Sequence, residues 1–137
     1  IELDVDVTKG SIDSDKYKTL AAKVMEIYPN VEKLAVSLRE SVSADINNWS
    51  IVMATKDGFY TSKKYEIRDI VDRIGGGDSF GSGLIWGLNN LETPQAAVEF
   101  AAAASALKHT IFGDYNRVSV SDVLTLAGGD GSGRVQR

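Results

Sequence analysis

The sequence predicts an α/β fold, in which helices pack on a layered sheet. Short apolar runs rich in β-branched residues alternate with longer stretches whose apolar positions recur at helical spacing. The consecutive glycines Gly75, Gly76 and Gly77 separate a predicted strand from a predicted helix near the middle of the chain. Ligands of open α/β sheets bind beside such turns, because the turns lie at the carboxyl ends of strands.

Composition excludes several classes of function. The 137 residues are the size of one domain, residues 1–137, and a hydrophobic content of 43% is enough for a core. The net charge of −4 and the scattered basic residues argue against a nucleic-acid-binding surface. The chain has no cysteine, which excludes disulfides and thiolate chemistry, and His109 is its only histidine. A His-dependent triad and most zinc sites are therefore disfavoured.

The chain ends and the hydropathy pattern lead to expectations about context. No apolar run reaches the ~18 residues of a membrane span, and the first residues do not read as a signal peptide, so we expect a cytoplasmic protein without a membrane partner. The sequence begins at Ile1, inside an apolar alternation and without an initiator Met. We therefore expect an N-terminal part of the same polypeptide to be missing. The glycine-rich residues 127–137 are predicted to be a flexible tail.

The first half of the chain contains one predicted helix and several predicted strands. Apolar residues at helical spacing predict a helix from Asp13 or Ser14 that stops at Pro29, and residues 33–38 read as a short buried strand. Residues 50–55 and 59–61 flank an Asp-Gly turn, which predicts a hairpin because Gly58 can adopt positive φ without strain. Residues 65–71 read as a further strand ending at Asp72.

The second half is predicted to be helical. A helix rich in small residues covers 78–88, and small residues allow close packing against a neighbouring helix. Thr93 and Pro94 form an N-cap and first-turn pair for an alanine-rich helix over 95–108. Ser119 and Asp122 resemble a capping box for a last helix through 126.

The glycine turn and the aspartate that follows it carry the chemical information. Three glycines at the start of a helix present bare N–H groups at the positive end of the helix dipole, which is a site for a phosphate anion. Asp78 follows immediately. It could be an N-cap, or it could accept the proton of a substrate hydroxyl while the amides hold a transferring phosphoryl group, and the residues leave both interpretations open. The turn matches neither a Walker A loop nor G-x-G-x-x-G.

Residues 72–80, Asp-Arg-Ile-Gly-Gly-Gly-Asp-Ser-Phe, resemble the second signature of the ribokinase-like (PfkB) carbohydrate kinases, Asp-Thr-x-Gly-Ala-Gly-Asp-x-Phe. With residues 37–41 (SLRES) and 133–137 (GRVQR), the pattern is similar to the 2-keto-3-deoxygluconate kinases of that family. The resemblance extends over essentially the whole chain and corresponds to the C-terminal part of the longer family chain.

The resemblance implies a fold, a reaction and its reactants. The fold would be the C-terminal, nucleotide-binding and catalytic portion of a ribokinase-like three-layer α/β/α fold. The reaction would be Mg²⁺-assisted transfer of the ATP γ-phosphate to a primary hydroxyl of 2-keto-3-deoxygluconate or a related sugar. Asp78 would be the general base, which also places it at the sugar, and Gly75, Gly76 and Gly77 would form the anion hole. Phosphoryl transfer needs little beyond positioning, charge neutralisation and a deprotonated nucleophile.

Asp72 resembles a family position near a monovalent-cation site. Arg73 and Ile74 replace the usual hydroxyl-bearing pair, so the sequence argues against that cation here. A strand-end aspartate that caps a turn is the favoured interpretation of Asp72.

The resemblance also implies nucleotide-binding residues in two segments. Ser37-Leu38-Arg39 ends a predicted strand where family members carry Thr-Leu-Gly beside the nucleotide phosphates, so Ser37 and Arg39 are predicted to contact ATP. A solvated arginine at a strand end is the alternative for Arg39. In the alanine-rich helix, small side chains would leave room for adenine or would serve tight helix packing; these residues are Ala102, Ala103 and Ala106.

Asp114 is the candidate that would contact the substrate from a loop. In similar keto-sugar kinases an acidic residue at this position reaches the hydroxyls of the sugar acid, whereas a turn residue after Gly113 is the alternative. Because the missing part would supply most of the sugar pocket and the lid, we expect the isolated chain to be inactive and to associate with itself or with that part. The rival functional hypothesis is a non-catalytic nucleotide-binding or regulatory module.

Overall fold

The structure, a computed structural model, describes residues 14–129. The apolar alternation at the N-terminus and most of the predicted tail lie outside these residues. The described part contains helices and strands in this order: α1 (Ser14–Ile27), β1 (Lys33–Ser41), β2 (Ile46–Thr55), β3 (Phe59–Thr61), β4 (Tyr65–Arg68), α2 (Gly76–Asn90), α3 (Pro94–Lys108) and α4 (Val120–Ala127). None of the helices in this range is long and apolar enough to cross a membrane.

Strand β2 is the centre of an antiparallel sheet. It pairs with β1 along its length, from Lys33 opposite Thr55 to Ser41 opposite Asn47. Its other edge is shared by β3 and β4, which pair with the two ends of β2. The predicted hairpin around the Asp-Gly turn is therefore present, and the sheet extends it on both sides.

The two faces of β2 bind different helices, because side chains alternate along a strand. Trp49, Ile51 and Met53 belong to the main core together with α3. The indole Nε1 of Trp49 donates to Ser105 Oγ at 2.7 Å. On the opposite face Ala54 lies close to Ala21 of α1. Helices thus cover both faces of the sheet, which confirms the predicted α/β class.

Local helix signals in the sequence are confirmed in the structure. The Thr93 hydroxyl accepts from the N–H of Ala96 at the start of α3, with Pro94 in the first turn. Ser119 and Asp122 form a complete capping box at the start of α4. These signals are short-range, so they could be recognised without knowledge of the tertiary packing.

Helices α2 and α3 pack closely through small residues, so an added side chain at this contact should lower the stability of the fold. A Cβ added at Gly87 would lie 2.9 Å from Ala97 Cα, whereas one added at Gly81 would meet nothing within 4 Å. We expect Gly87→Ala to lower the free energy of unfolding by about 1–3 kcal/mol through overpacking. Gly81→Ala is the matched control, and its better helix propensity should raise stability by up to ~1 kcal/mol. Thermal unfolding of both variants checks this, and equal effects would contradict the packing.

Candidate functional site

The glycine turn begins α2 and lies against the loop between α3 and α4. Gly75 is the N-cap of α2 and has a φ of 78°, a left-handed conformation that favours glycine. An added Cβ at this position would collide with the carbonyl oxygen of Asp114. The structure therefore brings two segments separated in sequence into direct contact, and glycine is required at the contact.

The start of α2 presents free backbone donors. The N–H of Gly76, predicted as part of the anion hole, instead bonds to the carbonyl of Arg73 at 3.2 Å, and that of Ser79 bonds to the carbonyl of Gly75 at 2.9 Å. Between them, the N–H groups of Gly77 and Asp78 donate no backbone hydrogen bond to any residue in the range 14–129. Gly77 is exposed, and no atom would lie within 4 Å of a Cβ added to it. An anion can therefore approach these donors at the positive end of the helix dipole.

Asp78 is the third residue of α2, and its carboxylate is exposed. The N-cap is Gly75, and no side chain makes a cap hydrogen bond at this helix start. The N-cap interpretation of Asp78 is therefore wrong. Among the described residues its carboxylate has no hydrogen-bond or ion-pair partner, and it lies beside the free N–H groups. The arrangement puts a proton acceptor next to an anion site.

Asp72 ties the glycine turn to the same loop. One carboxylate oxygen accepts from the N–H of Ile74 at 3.0 Å, and the other accepts from the N–H of Gly113 at 3.0 Å. These backbone donors, above all that of Ile74, hold the pKa of Asp72 below its usual value. The interpretation of Asp72 as a turn-capping aspartate is thus confirmed, and the capped turn includes a contact across the fold.

The loop that carries Asp114 is anchored from its other end by Asn116. The side-chain Nδ2 of Asn116 donates to Ser79 Oγ at 2.7 Å and to the carbonyl of Ala104 at 3.0 Å. Between these anchors Asp114 is exposed, while its backbone contacts the glycine turn. The structure therefore brings Asp114 to the same surface region as Gly75.

His109 lies beneath the glycine turn, a position the sequence did not indicate. It is the C-cap of α3, is 3% exposed, and its ring Cε1 would lie 3.1 Å from a Cβ on Gly76. Nδ1 lies 2.7 Å from the carbonyl oxygen of Ser105, so the proton is on Nδ1 in the neutral ring. Burial lowers the pKa of His109 below its usual 6.5. His109 is therefore a buried residue at the end of α3 whose neutral form is favoured.

The lowered pKa of His109 predicts a pH dependence of stability. The unfolded state binds a proton on His109 near pH 6.5, whereas the folded state does so only at lower pH. The stability that comes from burying the neutral ring is therefore fully present above pH 6.5 and is lost as the pH falls below it. We expect His109→Gln to weaken this dependence, by at most about 1.4 kcal/mol per pH unit. Urea unfolding between pH 5 and 8 checks it, and an identical slope in the variant would contradict the assignment.

Positive side chains surround this turn. Besides burial, the charges of Lys108, Arg39 and Arg73 each lower the pKa of His109, which places all three cations near the ring. Arg39 and Arg73 are exposed, whereas Lys108 is buried. Arg39 lies on β1 opposite Trp49, so the end of β1 reaches the glycine-turn end of the molecule. This charge suits a polyphosphate.

The other predicted nucleotide-binding residues differ in their accessibility. Ser37 is partly buried on β1, two residues before Arg39. The predicted adenine-binding alanines of α3 have no exposed surface and belong to the core: Ala102, Ala103 and Ala106. The packing alternative accounts for these three positions, and their contact with a nucleotide stays a prediction. The aromatic residues Trp49 and Phe100 are core residues, and Trp86 stacks on Phe100 with ring centroids 4.6 Å apart.

Protein side chains do not form a metal centre in the described range, since residues 14–129 contain no cluster of three or more His, Cys, Asp or Glu residues able to hold a metal ion.

Solved structures of three sugar kinases match this chain. The 2-dehydro-3-deoxygluconokinase from Thermotoga maritima is 40% identical, with a TM-score of 0.81, and the match covers 91% of this chain and 37% of that one. A PfkB family carbohydrate kinase from Listeria grayi is 31% identical (TM-score 0.75; 87% of this chain, 36% of that one). A putative 2-keto-3-deoxygluconate kinase from Enterococcus faecalis is 29% identical (TM-score 0.72; 85% and 33%).

The chain thus spans little more than a third of the length of these kinases. No family model and no curated protein matches the sequence.

Proposed function

We propose that this chain, which belongs to the ribokinase-like (PfkB) carbohydrate kinase family, is the nucleotide-binding and catalytic part of a kinase for 2-keto-3-deoxygluconate or a related sugar. The observation that carries the proposal is the unpaired carboxylate of Asp78 beside the free N–H groups of Gly77 and Asp78. Two of the three matched kinases are described as acting on this keto-sugar acid, which supports the substrate class.

Asp78 is the proposed general base. Its carboxylate takes the proton of the sugar's primary hydroxyl as that oxygen bonds to the γ-phosphorus of ATP. The bond between the γ-phosphorus and the bridging oxygen breaks, and ADP leaves with that oxygen. Asp78 then releases the proton to solvent. Its lack of a hydrogen-bond partner in the described residues supports this role, because a carboxylate already bonded to protein donors would be a weaker acceptor.

The glycine turn is the proposed anion hole. The N–H groups of Gly77 and Asp78 would stabilise the charge on the transferring phosphoryl oxygens, and the contact between Gly75 and the Asp114 loop fixes the turn in place. Fixed donors need no reorganisation during the reaction, which is why such an arrangement accelerates transfer.

The nucleotide phosphates would be held by the cations at this end of the molecule. Arg39 and Arg73 are exposed and close to the turn, and a guanidinium matches the geometry of phosphate oxygens. Mg²⁺, carried by the phosphates, would neutralise their charge. Ser37, two residues before Arg39 on β1, is proposed to bind the phosphates with it.

The sugar would be bound by Asp78, by Asp114 and by the rest of the polypeptide. Three apolar side chains beside the turn and its loop are exposed, Ile74 at 64%, Phe112 at 79% and Tyr115 at 73%. Exposed apolar groups beside a polar site are typical of a surface that another part of the protein covers. We therefore expect the isolated chain to be inactive and to self-associate, and light scattering should detect the association.

The alternative, a non-catalytic nucleotide-binding module, is tested by thermal unfolding of the full-length protein that carries this sequence. A kinase should be stabilised by ADP with Mg²⁺ and stabilised further by 2-keto-3-deoxygluconate, because both ligands bind the folded state. If ADP raises the melting temperature and no sugar raises it further, the nucleotide-binding module would be favoured over the enzyme.

A further inference from the structure

Lys108, the last residue of α3, is a lysine without any exposed surface. Its Nζ donates to the carbonyl of Ile111 at 2.9 Å, and the N–H of Ile111 donates back to the carbonyl of Lys108 at 3.0 Å. The side chain therefore folds over the turn that leads from α3 into the Asp114 loop. Fully buried lysines are rare unless they are paired, because removing an ammonium from water is costly.

The surroundings of Lys108 connect it to the glycine turn. Its charge contributes to lowering the pKa of Asp72, whose carboxylate holds the N–H groups of Ile74 and Gly113. The next residue, His109, accepts the N–H of Val71 through its carbonyl at 2.9 Å. The end of α3, the approach to the glycine turn and the start of the Asp114 loop thus meet at one junction. There the Lys108 ammonium bonds to the Ile111 carbonyl, and the Asp72 carboxylate accepts the N–H of Gly113.

A simple helix-end role does not account for this position. A lysine in the last turn of a helix interacts favourably with the helix dipole from an exposed position, without the cost of burial. Lys63 and Lys64, by contrast, keep part of their surface in solvent while bonding to Ala127 and Glu40. Burial of Lys108 brings its positive charge into the junction, where it helps to lower the pKa of Asp72.

A free monovalent cation does not fit at Asp72. Each carboxylate oxygen already accepts a backbone N–H, which leaves fewer lone pairs for a cation, and the positive charge of Lys108, which helps lower the pKa of Asp72, would repel a second cation. The hydrogen-bond donors and the positive charge around Asp72 thus argue against a monovalent-cation site at this residue.

The geometry points to Lys108 as a built-in cation that fixes the Asp114 loop against the glycine turn, so that the anion hole needs no free monovalent cation. Lys108 is a positioning residue, because it acts through Ile111 and Asp72 and not on the substrate. The inference is tested by two measurements. The first, the activity arm, rests on the proposed kinase function. The second arm measures melting temperatures and does not need turnover.

The activity arm uses the full-length protein with Mg²⁺ and ATP, in buffers whose monovalent cation is either potassium or tetramethylammonium. Wild-type kcat should agree within about 2-fold in the two buffers. Lys108→Ala should lose about 100-fold in kcat in tetramethylammonium, as expected for a misplaced catalytic group, and should regain part of it in potassium or ammonium. Lys56→Ala, at an exposed turn lysine, is the control and should behave as the wild type. A wild-type enzyme that needs potassium would overturn the proposal.

The second arm measures the melting temperature of the same proteins without substrate. The wild type should melt at one temperature in both buffers, whereas Lys108→Ala should be stabilised by potassium or ammonium entering the vacated site. Lys108→Met keeps the aliphatic part of the side chain packed, so this variant should fold. It should lose activity, and potassium or ammonium should restore less of it than in Lys108→Ala. Loss of stability in Lys108→Ala without any cation dependence would reduce Lys108 to a structural residue. If the wild type phosphorylates no sugar, the proposed function fails, and the melting temperatures still decide the role of Lys108.

Discussion

Replacing Asp78 by asparagine is expected to lower kcat of the full-length protein by about 10²- to 10⁴-fold, the contribution typical of a positioned general base. Asparagine keeps the shape of the side chain and removes its ability to accept the hydroxyl proton. The affinity for ADP should change little, because the free donors at the start of α2 belong to the backbone. Steady-state kinetics and ADP titration calorimetry check the two halves of this prediction.

A matched control for the charge change is Asp57→Asn. Asp57 is an exposed aspartate in the turn between β2 and β3, so its replacement removes the same charge far along β2 from the glycine turn. We expect it to leave kcat unchanged. Near-normal turnover of Asp78→Asn, with the same nucleotide affinity, would show that another group takes the proton.

Alanine substitutions at Gly75 and Gly77 should both lower activity, but they should have different effects on stability. Alanine at Gly75 must adopt a φ of 78° and would collide with the Asp114 carbonyl, so we expect a loss of about 2–5 kcal/mol in stability together with loss of turnover. Alanine at Gly77 meets no protein atom, so stability should be kept or rise by up to ~1 kcal/mol.

The extra methyl group at Gly77 would nevertheless stand in the open space beside the free N–H groups, where a phosphoryl group approaches. We therefore expect Gly77→Ala to lower kcat by about 10²- to 10³-fold, comparable to the loss of an anion-hole donor. Melting temperature and kcat measured on both variants separate the two effects. Full activity in a normally stable Gly77→Ala would contradict the anion hole.

The glycine turn and Asp78 could be located from sequence because they are contiguous. Three glycines followed by aspartate at a helix start determine the exposed donors and the nearby carboxylate through local geometry alone. What sequence could not decide was whether Asp78 caps the helix. Gly75 takes that position instead, because its left-handed backbone places the chain against the Asp114 carbonyl, where a side chain would collide.

The residues that support the turn were not recognisable in the same way. Asn116 bonds to Ser79, 37 residues away in sequence, His109 lies against Gly76, and Lys108 is buried, and no local pattern marks such features. A lysine followed by a histidine after an alanine-rich helix reads as a solvated helix end. The one available signal is weak: the preceding helix is apolar on all sides, which indicates that its end is enclosed as well.

Strands β1 and β2 were predicted shorter than they are, whereas the strand predicted over 65–71 ends earlier, at Arg68. β1 continues through Arg39 and Glu40 to Ser41, and β2 starts at Ile46, because these polar residues pair across the strands and complete the backbone ladder. When strands are predicted from apolar runs alone, the first strand ends at Leu38 and the second begins at Ser50. The omitted extension matters for function, since it carries Arg39 to the glycine-turn end of the sheet.

ADP release by the full-length protein, measured with ATP, Mg²⁺ and a panel of sugars that includes 2-keto-3-deoxygluconate, tests the proposed kinase activity directly. We expect turnover with this keto-sugar acid and almost none in the Asp78→Asn variant. Turnover with a different sugar alone would keep the kinase and overturn the substrate assignment. Tight ADP binding without turnover of any sugar would contradict the central claim that this site transfers a phosphoryl group.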